Sequence, residues 1–178
     1  TARAAWVAGL TVAPQPGDVD MGIIMAHLRE RLPKDAILTN GAGNFAIWSG
    51  RFMHYGAADG GGRRLLGPQA GAMGAGVPAA VAAKLAAPDR MAVCFAGDGY
   101  FQMTGMELAT SMQPSAPFVV LVLNNGSYVT IRIHQESHYP HWVCATPLIN
   151  PYFTLSAKAF GLHAERVEST EIFAAAFE

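Results

Sequence analysis

Two short polar patches in this sequence carry the residue types of a metal and phosphate site. Gly97-Asp98-Gly99 follows one apolar segment and Asn124-Asn125 follows the next, so that Asp98 and Asn125 lie 27 residues apart. A divalent cation such as Mg2+ binds carboxylate, carbonyl and phosphate oxygens, and glycine lets a backbone approach a phosphate closely. The two patches together therefore predict a cation bridged to a phosphate group.

The apolar segments before the two patches explain how the patches can meet. Residues 91–96 (MAVCFA) and 118–123 (FVVLVL) have the length and composition of parallel strands that are buried on both faces. Each patch then sits at the carboxyl end of a strand. This is the edge where open α/β sheets bind their ligands.

Simpler interpretations exist for each patch taken alone. Asp98 between two glycines is also typical of a turn or a helix cap, and Asn125-Gly126 is a common turn dipeptide. Each of these explains one patch only. The spacing of the patches and their positions at two strand ends favour a shared site.

Helices and strands alternate along the rest of the chain, without an internal repeat. Further strands are predicted at 36–39, 63–66 and 163–167, and helices at 17–31, 44–52, 73–86, 101–112, 128–135 and 151–160 and from Ser169 or Thr170 onward. Residues 1–16 are expected to form a linker or extended tail, and residues 17–178 the domain. The alternation predicts an α/β three-layer sandwich, with a mainly parallel sheet flanked by helices on both faces.

The composition is typical of a well-packed cytoplasmic domain. The 178 residues are 51% hydrophobic and 14% charged, and the net charge of −1 gives no electrostatic attraction to nucleic acid or to an anionic membrane. The apolar segments are too short to cross a bilayer. Cys94 and Cys144 lack CxxC spacing, so both are expected to be reduced thiols.

The complete pattern resembles a known family. The segment GDGYFQMTGMELATSMQPSAPFVVLVLNNGSY is similar to the cofactor motif of thiamine diphosphate (ThDP) enzymes of the acetolactate synthase, benzoylformate decarboxylase and pyruvate oxidase type, in which GDG is followed after a gap by NN. The likeness extends through GPQAGAMGAGVPAAVAAKLAAPDR upstream and YVTIRIHQE downstream, and so covers nearly the whole chain. It implies the C-terminal ThDP-binding domain of a longer multidomain enzyme that decarboxylates or ligates 2-oxo acids.

The resemblance implies which residues hold the metal and the diphosphate. Asp98, Asn125 and the backbone carbonyl of Ser127 would bind Mg2+. A loop that follows a strand and opens a helix would grip the diphosphate with backbone N–H groups, and Phe45 in it would act through its backbone alone. The cofactor contacts implied are Gly41, Ala42, Gly43, Asn44, Phe45, Gly97, Asp98, Gly99, Tyr100, Asn125, Ser127 and Tyr128.

The resemblance also implies a contact to the pyrimidine ring of ThDP. The carbonyl of Gly71 and the amide of Met73 would hold the ring edge, and the Met73 side chain would be the apolar wedge that bends the cofactor into a V. A methionine more commonly fills a core. The position of Met73, 25 residues before Asp98, matches the family and favours the wedge.

Two alternative functions remain open. Gly41-x-Gly43-x-x-Ala46 after a strand, with Asp59 further along, is also compatible with an NAD-binding Rossmann domain, although that explains neither Asp98 nor Asn125. A non-catalytic relative with the ThDP fold is the other alternative. Asp98, Asn125 and Met73 are all present, which argues against a loss of function.

The histidines do not predict a zinc site. His134 and His138 are four residues apart with Glu136 and His141 nearby, but the HExxH arrangement of zinc hydrolases is absent and Pro140 interrupts the segment. They are expected to contact substrate or simply to lie on the surface.

The resemblance implies partners beyond this chain. The glutamate that activates ThDP belongs in the family to an N-terminal pyrimidine-binding domain, usually of the partner subunit, so a homodimer or homotetramer is expected. Any FAD would be bound through another domain. The chain on its own is therefore expected to be inactive.

Overall fold

The computed structural model describes residues 1–56 and 62–178. Asp59 of the NAD-binding alternative lies outside the described residues. So do Gly60 and Gly61, two of the three glycines that precede the strand predicted at 63–66. None of the helices in the described ranges is long and apolar enough to cross a membrane.

Four parallel strands form the sheet of the described residues. The strand bounds are Ile37–Thr39 (β1), Arg64–Leu66 (β2), Ala92–Gly97 (β3) and Val119–Leu123 (β4). The strands lie in the order β2-β1-β3-β4. Ile37 of β1 is in register with Ala92 of β3, and Gly97 of β3 with Leu123 of β4. The predicted parallel sheet is therefore confirmed, and these four strands begin or end within one residue of the predicted positions.

The helices of the described residues are α1 Ala2–Ala8, α2 Met21–Arg31, α3 Ala46–Phe52, α4 Gly76–Ala86, α5 Asp98–Thr104, α6 Glu107–Met112, α7 Val129–His138, α8 Phe153–Ala159 and α9 Thr170–Phe177. They cover both faces of the sheet, and β3 alternates its side chains between the two cores that result. Val93 and Phe95 belong to one core with residues of α2, α3 and α9, whereas Cys94 and Ala96 belong to the other with residues of α4, α5 and α6. The α/β three-layer arrangement is confirmed.

The first segment differs from the expected extended tail because it contains α1. Its alanine-rich sequence has high helix propensity, and Thr1 caps it by accepting a hydrogen bond from the Ala4 amide. The segment also packs on the domain: the Trp6 ring lies 5.0 Å from that of His54, and the Arg51 Nε donates to the Gly9 carbonyl at 3.0 Å.

The strand predicted at 163–167 is wrong for the described residues. The segment is not helical, but it makes no ladder with β1 to β4, and a strand exists only through hydrogen bonds to a neighbour. The single helix predicted at 101–112 is likewise two helices, α5 and α6, and α5 begins earlier, at Asp98.

The side chain of Tyr100 in α5 contacts two other segments, the loop after β1 and the start of α4. It is only 1% exposed, and its hydroxyl donates to the Asn40 carbonyl at 3.3 Å and accepts from the Gly76 amide. Burial raises the pKa of Tyr100 to about 12, so the hydroxyl keeps its proton at neutral pH. A methyl group at Gly41 would overlap the Tyr100 ring. Gly41 is therefore required by a close approach of ring to backbone.

We predict that Gly41→Ala destabilises the fold by about 1–3 kcal/mol, because the buried ring must shift to admit the methyl group. Gly50→Ala is the matched control: a methyl group at this exposed position in α3 meets nothing within 4 Å, and alanine is favoured over glycine in a helix by roughly 0.5–1 kcal/mol. Chemical denaturation of both variants measures the difference. Equal stabilities would contradict the proposed crowding at Gly41.

Candidate functional site

Asp98 lies directly after β3, as the first residue of α5, and is 3% exposed. Its Oδ2 accepts hydrogen bonds from the Gly126 amide at 2.7 Å and the Asn150 Nδ2 at 2.6 Å, and its Oδ1 accepts from the Gly99 amide at 2.9 Å. Since Gly126 follows Asn125 in the turn after β4, the carboxylate is attached to that turn. The structure thus brings the two predicted patches together.

The turn after β4 has a defined shape. Gly126 has φ +67°, a conformation that glycine adopts without steric cost. The side-chain oxygen of Asn125 accepts from the Ser127 amide at 3.0 Å. Two backbone bonds attach the turn to the segment before α8: Tyr128 N donates to Thr146 O at 2.9 Å, and Leu148 N donates to Gly126 O at 2.7 Å. Hydrogen bonds therefore attach the turn both to Asp98 and to the segment before α8.

The donor set around Asp98 fits Mg2+. A buried carboxylate, the side-chain oxygen of Asn125 and the carbonyl of Ser127 are all hard oxygen ligands, which magnesium prefers. The Ser127 carbonyl accepts one bond, from Val129 N at 3.0 Å, and a carbonyl oxygen has a second lone pair. Within the described ranges no three His, Cys, Asp or Glu residues cluster as a metal site, so a site here draws on amide and carbonyl oxygens.

The loop 41–45 approaches the same edge through Phe45. The ring of Phe45 lies against Gly97, where a methyl group would stand 2.9 Å from Cδ1, and its centroid is 5.4 Å from that of Tyr100. The Asn44 side chain accepts a hydrogen bond from the Thr130 hydroxyl at 3.1 Å, which ties the loop to α7. The Phe45 side chain has no polar atom and makes no side-chain cap to α3, so only its backbone groups could contact an anion.

Three glycines of the predicted site each lie against an aromatic ring. Besides Gly41 against Tyr100 and Gly97 against Phe45, Gly99 lies so close to Tyr128 that a methyl group there would overlap the ring. The family resemblance implies that these glycines contact the cofactor. The structure gives them a second role that sequence patterns did not indicate, because each ring comes from a distant segment.

Met73 lies in a turn before α4, half-buried, and packs against the core that contains Cys94 and Ala96. Gly71 and Gly74 on either side have φ +67° and +85°, and the Thr104 hydroxyl donates to the Gly74 carbonyl at 2.6 Å. These positive φ angles delay the start of α4 to Gly76, later than predicted. Partial burial is compatible with either role of Met73, cofactor wedge or core filler.

The histidines of α7 are separate from this arrangement. His134 and His138 are exposed, with ring centroids 6.1 Å apart, and the recorded partners of the His138 ring are Ser137 and the His134 carbonyl. Of the two cysteines, Cys144 is exposed, whereas Cys94 is buried in β3, and burial raises the pKa of its thiol to about 11. Cys94 is therefore a neutral core residue.

Sequence reasoning missed Asn150 and Gln102. Asn150 donates to Asp98, and Gln102 Nε2 donates to Asn150 Oδ1 at 2.8 Å. No local signal marks these residues, because Asn150 is 52 positions from Asp98 and lies outside the predicted helices and strands.

Comparisons with known proteins identify the family of this chain. The family described as "Thiamine pyrophosphate enzyme, C-terminal TPP binding domain" matches residues 41–178. The chain is 34% identical over 164 residues to an acetolactate synthase of Arthrospira platensis, covering 91% of this chain and 26% of that protein. It is 29% identical over 165 residues to the acetolactate synthase isozyme 2 large subunit of Escherichia coli K12, covering 92% and 30%.

A solved structure is also similar. The Rhodococcus jostii RHA1 thiamine diphosphate-dependent 4-hydroxybenzoylformate decarboxylase superposes with a TM-score of 0.80 at 28% identity, over 94% of this chain and 31% of that one. The chain thus spans less than a third of the length of these relatives. The NAD-binding alternative is not favoured. The chain belongs to the C-terminal, thiamine diphosphate-binding domain family of the acetolactate synthase and 2-oxo acid decarboxylase type.

Proposed function

We propose that this chain is the cofactor-binding domain of a longer, Mg2+- and ThDP-dependent enzyme that acts on 2-oxo acids by decarboxylation, carboligation or both. The observation that carries the proposal is the 2.7 Å bond from the Gly126 amide to the buried carboxylate of Asp98. It attaches the one acidic ligand to the turn that offers the amide and carbonyl ligands. The relatives' names supply the reaction class.

In this proposal each segment of the edge has a separate task. Asp98, Asn125 and the Ser127 carbonyl bind Mg2+, and the Tyr100 amide faces the diphosphate together with the loop 41–45. Gly99 lies beside them, with its amide donated to Asp98 Oδ1. Gly71 and Met73 orient the pyrimidine. Bound ThDP supplies the carbon nucleophile and electron sink that let a 2-oxo acid lose CO2. The residues of this chain bind and orient the cofactor and keep water from its reactive face.

The surface beside the site supports a partner domain in the complete enzyme. Trp142, Ile149 and Tyr152, all in the segment between α7 and α8, are 80%, 101% and 73% exposed, and exposed large apolar side chains mark interaction sites when they are contiguous. We place the N-terminal pyrimidine-binding domain of the same or a partner subunit here, in a cytoplasmic homodimer or homotetramer. FAD, if used, is bound by another domain.

Asp98→Ala in the full-length enzyme should abolish ThDP retention, because the diphosphate then lacks its bridging cation. Loss of an outer partner of a metal ligand commonly weakens metal binding by about 10–100-fold, and loss of the ligand itself should exceed this. ThDP retained after dialysis against Mg2+ buffer measures the effect. Asp89→Ala, which removes an exposed carboxylate, is the control. Wild-type retention by Asp98→Ala would refute the metal assignment.

The variant Met73→Ala distinguishes the two roles open to the Met73 side chain, cofactor wedge and core filler. A core methionine replaced by alanine costs about 2–5 kcal/mol of stability, whereas a wedge loses turnover through a misaligned cofactor. We expect kcat to fall far more than Tm, with Met73→Leu, which keeps the volume, close to wild type in both. A large loss of Tm with unchanged kcat per folded molecule would favour the core filler.

The 178-residue chain by itself should fold but not turn over 2-oxo acids. Its two cores flank one continuous sheet, whereas the proposal assigns the activating glutamate and the wall over the pyrimidine to the N-terminal pyrimidine-binding domain. Circular dichroism checks folding, and decarboxylation of pyruvate and benzoylformate, with excess ThDP and Mg2+, checks activity. Rapid turnover without the N-terminal domain would mean that a carboxylate of this chain, such as Glu107 or Glu136, activates the cofactor.

A further inference from the structure

The side chain of Asn150 is fixed by three hydrogen bonds. Its Nδ2 donates to Asp98 Oδ2 at 2.6 Å and to Asn124 Oδ1 at 2.7 Å, and its Oδ1 accepts from Gln102 Nε2 at 2.8 Å. An amide group has two donor hydrogens on one side and an acceptor on the other. Rotating it by 180° would place its oxygen against two other oxygens, so the partners determine its orientation.

These bonds make the two oxygens of Asp98 unequal. Oδ2 accepts from Asn150 and from the Gly126 amide, which occupies both of its lone pairs, whereas Oδ1 accepts only from the Gly99 amide among the residues that the structure describes. Oδ1 therefore keeps one lone pair for a cation. The carboxylate is also 3% exposed, so water is a poor substitute for a missing donor.

Asn150 is itself well placed to act as a fixed support. It immediately precedes Pro151, and a residue before proline is restricted to extended backbone conformations. Its three partners lie in two places: Asp98 and Gln102 on α5, and Asn124 directly after β4. One side chain thus connects the segment before α8 to both strand ends of the site.

We propose that Asn150 is a positioning residue of the metal site: with the Gly126 amide it saturates Asp98 Oδ2, so that Oδ1 is the oxygen that binds Mg2+. The inference rests on the proposed function, since it assumes a cation at Asp98. It assigns to Asn150 an effect on metal affinity that exceeds its effect on stability.

The test measures Mn2+ binding to the full-length protein by electron paramagnetic resonance, in the presence of saturating ThDP, together with Tm. Asn150→Ala should weaken Mn2+ binding by about 10–100-fold, the usual effect of removing a partner that orients a metal ligand. Gln102→Ala, which removes the bond that orients the Asn150 amide and a longer, 3.5 Å bond to the backbone carbonyl of Asp98, should weaken Mn2+ binding a few-fold. This second variant keeps the test decisive if Asn150→Ala does not fold.

Gln135→Ala is the matched control for simple loop anchoring. The Gln135 side chain makes two hydrogen bonds to the backbone of Cys144, at 3.1 and 3.0 Å, and so anchors the same connecting segment without contacting Asp98. It should lower Tm and leave Mn2+ affinity unchanged. If Asn150→Ala and Gln102→Ala behave like this control, with Mn2+ affinity within twofold of wild type, the inference is overturned.

The wild-type protein and Asp98→Ala separate this failure from failure of the proposed function. Absence of Mn2+ binding to the wild type, or equal binding by wild type and Asp98→Ala, would contradict the metal site itself. Tight wild-type binding that is lost in Asp98→Ala but kept in Asn150→Ala would leave the proposed function standing and reject the role of Asn150.

Discussion

The parallel pairing of β3 with β4 is the constraint on which the candidate site depends. The register that sets Gly97 opposite Leu123 makes both strands end at the same level, so Asp98 and Asn124 emerge side by side. A shift of this register by one residue would turn every side chain of β4 to the opposite face and separate the carboxylate from the turn. The hydrogen bond from Gly126 to Asp98 then fixes what the pairing brings together.

The strand β3 is buried, and a polar residue, Asp98, directly follows it. The first five residues of β3 are buried, and its side chains pack alternately against the helices on the two faces of the sheet. Such packing leaves little freedom for the chain to slide, and the first polar group after it, Asp98, is held at a fixed depth. The network of Asn150, Gln102 and Asn124 satisfies this group where water has little access.

The sequence predicts the sheet and its edge well because those features depend on local patterns. An apolar segment of six residues followed by glycine and aspartate indicates a strand and its end without knowledge of distant residues. The family resemblance is confirmed, while the individual cofactor and metal contacts stay predictions.

The features that the sequence does not predict depend on contacts between distant residues. Asn150 meets Asp98 across 52 positions, and the Tyr100 hydroxyl reaches Asn40 across 60. The segment 163–167 has suitable residues for a strand, but no neighbouring strand among the described residues pairs with it. The helix α1 differs from these features because local residues favour it: its alanines have high helix propensity, although residues 1–16 are expected to form a linker or extended tail.

The contact between Gly41 and the ring of Tyr100 has a consequence for how related sequences can vary. The space that a side chain at position 41 would need is filled by an aromatic ring from position 100, so the two positions are not independent. A protein of this fold with a small residue in place of the tyrosine is released from the need for glycine, whereas one that keeps the tyrosine is not. The two positions should therefore covary, and an engineer who enlarges one must reduce the other in the same step.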